Sequence, residues 1–289
     1  MSDLANANPL NRIGPARRAW LSANASVRIG LLLFVVLFLA TVFAPWLATH
    51  DPASINPLNR LKPPSDEHWF GTDAVGRDLF SRTIYGGRVS LIVGFGVALF
   101  ATVVGIAVGV LSGFVRVLDS VIMRVIDGMM SVPPILLAIA LMALTRGSIY
   151  NVIFAISISE MPRLARLVRG TVLSLRKQPY VEAAVSAGAG TPRIILLHIL
   201  PNTVAPVIVQ ATFIFASAMI IEAILSFIGA GVPPSTPSWG NIMADGRQLW
   251  LVKPYLIFFP AIFLSLMVLA VNLLGDGLRD ILDPRTKRR

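Results

Sequence analysis

Six apolar runs, each long enough to cross a hydrocarbon core, dominate this chain: roughly Ile29 to Ala48, Val89 to Phe114, Gly128 to Thr145, Ile149 to Val168, Thr203 to Gly229 and Tyr255 to Gly275. A spanning helix needs about 20 residues. The fourth run is the weakest, because Glu160, Pro162 and Arg163 interrupt it. The first is too long for a cleaved signal, and "FAPWLA" offers no small-x-small cleavage site. Composition agrees: 55% of the 289 residues are hydrophobic and 14% are charged, where a soluble domain carries about a quarter charged. The absence of cysteine excludes disulfides, thiolate metal sites and thiol nucleophiles. The expected fold is an all-α integral membrane bundle of six helices.

With six spans both termini share one side. The tails and even-numbered loops hold 17 of the 25 Lys and Arg, against 8 on the other side, where Asp51, Asp66, Glu67, Asp73 and Asp78 balance most of them. The positive-inside rule makes both termini cytoplasmic and the protein a multi-pass component of the cell membrane. Topology thereby accounts for the net charge of +10, and nucleic acid is rejected as a partner. The chain divides into a cytoplasmic tail (1–28), the first span with an external loop (29–88), a transmembrane domain (89–278) containing a cytoplasmic loop at 174–202, and a C-terminal tail (279–289).

That loop contains "YVEAAVSAGAGTPRIILLHILPN", residues 180–202. Tyr180 to Ala187 favours a short helix, Gly188 and Gly190 permit a sharp turn, and Thr191-Pro192 reads as an N-cap with proline at the first helical position. A second helix is expected to stop at Pro201. Val181, Ala184, Val185 and Gly188 fall on one face of the first, and Ile195, Leu196 and Ile199 on one face of the second. Helices this short need a partner surface, since isolated ones require about 12–15 residues in water. A packed connector and a docking element both fit. A DNA-reading helix-turn-helix does not, because a loop tethered at both ends to the bilayer cannot easily enter a groove.

The same stretch resembles the EAA loop of permease subunits of ABC importers, with Glu182-Ala183-Ala184, then Gly188, then "HILPN" including His198 and Pro201. "FGTDAVGRDLFSRTIYGGRVSL" (70–91), "PSTPSWGNIMADGR" (234–247) and "NLLGDGLRDILDPR" (272–285) resemble the C-type permease of dipeptide, oligopeptide and nickel importers. "SEMPRLARLVRG" (159–170) departs from it, as many members have a tryptophan near Met161. The resemblance implies a type I ABC importer permease fold and import of peptides, with nickel chelates or other small solutes as the alternative. It implies, as partners, a second homologous permease, two ATPase subunits that carry the ATP and magnesium, and a periplasmic or lipid-anchored solute-binding protein. It also implies that the EAA loop docks on the ATPase. Glu182 then either contacts that partner or favours its own helix dipole.

No G-x-x-x-x-G-K-[ST] phosphate loop occurs, so ATP hydrolysis is expected from another chain, with no cofactor held by this one. H-E-x-x-H and G-x-S-x-G are also absent. His50, His68 and His198 are read as scattered interfacial or loop residues, with no metal site expected. Glu160, Glu222 and Asn272 fall within apolar runs and are candidates for a translocation pathway, or else for interhelical hydrogen bonds. A secondary transporter or channel is the rival class. Ala101, Gly105, Gly109 and Gly113 form a small-residue ridge suited to close helix packing within the subunit, and Pro133-Pro134 marks a kink or a helix start. The external loop, Thr49 to Arg88, carries Gly71, Thr72, Asp73, Gly76, Arg77 and Asp78. Its Asp and Arg residues are assigned first to folding the loop, whose length marks it as functional or disordered; by the resemblance it belongs to an outer vestibule where the binding protein docks.

Overall fold

The computed structural model describes residues 25–145 and 147–282. Most of both expected tails lies outside them, as do Arg146 and the terminal arginines that weigh on the charge count. The described residues form α1 (Ala25–Val42), α2 (Ala44–Leu47), α3 (Leu79–Phe114), α4 (Arg116–Met130), α5 (Pro134–Ala143), α6 (Ile149–Leu175), α7 (Pro179–Ser186), α8 (Thr191–Ile194), α9 (Leu200–Phe227), α10 (Trp239–Gly246) and α11 (Tyr255–Leu282). No strand occurs among them; one isolated bridge joins Thr72 to Asp78.

Four helices are long and apolar enough to span: α1, α3, the helix running from Thr191 to Phe227, and α11. A fifth arises if α4 and α5 count as one span, although they meet at 91°. The third apolar run is therefore no straight helix. Proline lacks an amide donor and pushes the residue before it out of the helical region; Pro133 is extended (φ −54°, ψ 134°) and Pro134 opens α5. The fourth run lies in α6, 27 continuous residues that pass through Pro162. Glu160, Arg163, Arg166 and Arg169 lower its apolar character, and it is not among the apolar spans.

Another boundary moves. Helix α3 begins at Leu79, ten residues before the expected span, so "LFSRTIYGGR" belongs to the helix rather than the external loop. The Asp78 side chain caps it, accepting from Ser81 N at 2.8 Å.

The core is organised by α3 against α6, the most extensive helix pair among the described elements. Its basis is the ridge of small residues. A Cβ placed on Gly105 would lie 2.9 Å from Leu164 Cδ2, one on Gly109 2.6 Å from the Ala165 carbonyl, and one on Gly113 2.6 Å from Val172 Cγ1. All are closer than carbon atoms approach, so the ridge is used for packing inside the subunit, as its spacing suggested. Helix α1 lies on α11, and α9 touches both α3 and α11. Outside this core Leu32, Val36, Phe95, Leu99 and Val103 remain exposed. An apolar surface of that extent belongs in hydrocarbon or against another subunit.

Candidate functional site

At one end of the bundle, α7, Gly188, α8 and α9 form an elbow. Pro179 opens α7, and Gly188 ends it at φ +82°. Gly188 N donates to Val185 O at 2.9 Å and Ala189 N to Ala184 O at 3.0 Å, the pair of bonds that closes a helix on a left-handed residue. Nothing lies within 4 Å of a Cβ built at Gly188. The glycine is needed for its backbone angle and not for room.

The second half of the elbow departs from expectation in three ways. Gly190, not Thr191, takes the cap position, and Thr191 begins α8 without a side-chain cap. The helix does not stop at Pro201. It passes through a π turn, Ile195–Ile199, into α9, and that wider turn stands directly before Pro201, which has no amide to donate. The buried face is formed by Val181, Ile194 and Ile199, whereas Leu196 turns outward. The elbow is therefore anchored by a few side chains and is continuous with a 37-residue apolar helix.

Glu182, Ala183 and Val185 are exposed on α7, and Leu196 and Leu197 are exposed in the π turn that follows α8. Glu182 lies in the first turn of α7, whose N-cap residue Gln178 makes no side-chain cap bond. Among the described residues its carboxylate has no recorded partner. Tyr180 and His198 rings approach to 6.2 Å across the elbow, and Asn202 Nδ2 donates to the His198 carbonyl at 2.7 Å.

At the opposite end of α3, the loop before Leu79 is folded by its own polar groups. Asp73 Oδ1 accepts from Val75 N and Arg77 N, each at 2.9 Å, while Gly71 and Gly76 hold φ near +80°. Asp73 Oδ2 accepts from Arg77 Nε at 2.6 Å and from Arg82 Nη1. The same two arginines reach Asp245 Oδ2 on α10, at 2.9 and 3.0 Å. Burial alone would raise the Asp73 carboxyl; the Arg82 charge, with Arg77 and the two amides, outweighs it and holds the group below the usual carboxylate range. Thr72 donates to Asn59 O, Tyr255 OH donates to Lys62 O at 3.0 Å, and Trp239 Nε1 to Thr83 O at 2.8 Å. Arg82 and Asp245 complete this clamp without having been singled out from the sequence. Their only signal was membership of the 70–91 and 234–247 stretches.

The carboxylates in the apolar runs lie apart in hydrogen-bond terms. Glu222, fully buried, accepts from Ser90 Oγ of α3 at 3.0 Å and from Ser226 Oγ at 2.9 Å. Glu160, 1% exposed, accepts from Ser217 Oγ of α9 at 2.8 Å, while its second oxygen has no hydrogen bond and lies 3.5 Å from Arg163 Nη1. Asn272 is partly buried on α11 and bonds to neither.

Residues 80–288 match the family described as binding-protein-dependent transport system inner membrane component, and residues 14–64 the N-terminal TM domain of oligopeptide transport permease C. The chain is 54% identical over 243 residues to a probable peptide ABC transporter permease of Sinorhizobium fredii, covering 84% of each. It is 43% identical to the dipeptide transport system permease of Alkalihalophilus pseudofirmus over 95% of this chain and 91% of that one, and 39% identical to the oligopeptide permease of Bacillus subtilis over 92% and 88%. In fold it is similar to a chain of the MetNI methionine ABC transporter in an inward-facing form, with a TM-score of 0.59 at 19% identity over 70% of this chain and 96% of that one. This multi-pass, all-helical protein therefore belongs to the binding-protein-dependent transport system inner membrane components, the membrane subunits of ABC importers.

Proposed function

We propose that this chain is the permease subunit of an ATP-driven peptide importer, with six spans, both termini in the cytoplasm, and Tyr180–Asn202 as the element that couples it to two ATPase subunits. A second, related permease completes the pathway, and a solute-binding protein delivers cargo to the face bearing the Asp73–Arg82 clamp. The peptide assignment rests on the names of relatives that match over most of the chain. In this reading α4 with α5 and the charged α6 complete the six.

The observation that carries the reading is the elbow. An exposed Glu182-Ala183 surface with unpaired apolar neighbours is continuous, through α8 and the π turn, with a spanning helix. Movement of a partner against that surface is thereby passed to α9 as a rigid-body displacement. Glu182 faces outward without an internal partner, which favours contact over capping. Glu160, with one oxygen that has no hydrogen bond and faces the half-exposed Arg163, is the better candidate for a pathway-lining group; Glu222, with both oxygens hydrogen-bonded inside the subunit, ties α3 to α9.

Uptake of labelled dipeptide and of nickel, each compared between cells with and without this chain, tests the assignment. Loss of peptide uptake alone supports it. Loss of nickel uptake alone, or of neither, contradicts it.

A further inference from the structure

Outside the elbow and the clamp, one group of side chains has a use that neither explains. His50, at the foot of α2, His68, within the loop, and Asp78, the cap of α3, stand 18 and 10 positions apart in sequence. One ligand atom from each lies within 4.8 Å of the other two. We propose that these three residues form a binding site for a divalent transition-metal ion of the zinc class, which cross-links the end of the first helix, the external loop and the start of α3.

The donor set suits such an ion: two imidazoles and one carboxylate give an N₂O ligand set with a fourth position open. His68 Nδ1 is 2.8 Å from Asp78 Oδ1, and His50 Nδ1 is 3.8 Å from the same oxygen. A tetrahedral ion with bonds of about 2.0–2.1 Å holds neighbouring ligand atoms roughly 3.4 Å apart, so small rotations suffice. The two rings already lie 4.7 Å apart, tilted by 35°. Thr49 Oγ1, 3.0 Å from His50 Nδ1 and 3.4 Å from Asp78 Oδ2, borders the open position.

The surrounding shell fits as well. A metal-bound imidazole is oriented by a hydrogen bond at its other nitrogen, and His68 Nε2 lies 3.3 Å from the side-chain amide of Asn59. With Nδ1 on the metal, Nε2 carries the proton and the Asn59 carbonyl oxygen accepts it after an amide flip. Asp78 keeps Oδ2 on Ser81 N, so the helix cap survives occupancy of Oδ1. His68 and Asp78 are buried, while His50, with 39% of its side chain exposed, leaves a way in from solvent. Without metal, the His68–Asp78 hydrogen bond holds two of the three ligands side by side.

The sequence makes the test clean, because the chain has three histidines and no cysteine. The full chain, purified without a histidine tag in lipid nanodiscs, is titrated with Co²⁺, whose visible bands report tetrahedral coordination, and then with Zn²⁺ in competition. The expected result is one equivalent bound, with affinity lowered about tenfold or more by His50→Ala and by His68→Gln and unchanged by His198→Ala. His50→Ala removes an exposed ligand and so leaves the fold intact. Absence of stoichiometric binding by the wild-type chain, or equal affinity in His50→Ala, overturns the proposal.

Discussion

Arg82 Nη1, on the first turn of α3, donates at 3.0 Å to Asp245 Oδ2 on α10, 163 positions later in the chain. The same atom is bonded to Asp73, and Arg82 itself is buried. Removing Arg82 takes a buried guanidinium from two carboxylates at once and leaves Asp73 and Asp245 with Arg77 alone, a loss bounded above by the roughly 3–5 kcal/mol of a buried pair broken outright. Arg82→Ala is therefore expected to reduce the amount of folded protein in the membrane severely, and Arg77→Ala, whose side chain is partly exposed, much less. Thermal unfolding of the two purified variants checks the order.

Asp73 also sets a pH dependence. Its carboxyl is held below its ordinary value in the folded chain, so the stabilisation is fully present above the unfolded value of about 3.9 and is lost as pH falls through the lower folded value. Amide exchange at Val75 and Arg77 should show protection that is constant from pH 7 to about 5 and fails only below about 4. Failure near pH 6 would show that Asp73 does not govern the loop.

The glycine ridge predicts a directional sensitivity. Gly109→Leu forces side-chain atoms into the Ala165 carbonyl and Val168, and overpacking of this kind costs about 1–3 kcal/mol or more. Val103→Leu, on the exposed side of the same helix, should be mild. Yield and thermal stability in detergent give the comparison.

Orientation is tested separately. A cysteine at Ser65 should react with a membrane-impermeant reagent added to intact cells, and one at Ser186 only after permeabilisation. Both positions are exposed in the fold.

Local pattern revealed the apolar runs, the glycine ridge, the proline break at Pro133 and the positive φ of Gly188, because each is a property of a few neighbouring residues. What it missed depends on distant ones. The stretch 79–88 looked like loop because Arg82 and Arg88 are charged, yet Arg82 finds Asp73 and Asp245, and Arg88 finds the carbonyls of Thr41 and Val42. Pro201 looked like a stop, but the π turn before it lets the helix continue. His50 and His68 looked scattered, but the folded loop brings their rings to within 4.7 Å of one another. The elbow's residues were legible, whereas the turn of Leu196 to the outside was not.

In the proposed coupling the elbow transmits motion between the ATPase partners and α9, and Gly188 is where it is tested most directly. At φ +82° with open space around it, a β-branched residue costs roughly 1–2 kcal/mol of backbone strain, while asparagine tolerates the angle. Co-purification of the ATPase subunits and substrate-stimulated ATP hydrolysis, measured together for Gly188→Val, Gly188→Asn and Glu182→Ala at equal membrane levels, separate the alternatives. Gly188→Val is expected to lose both, Gly188→Asn to keep most of each, and Glu182→Ala to lose association. Wild-type association and hydrolysis in both Gly188→Val and Glu182→Ala would reduce the elbow to a connector and contradict the account.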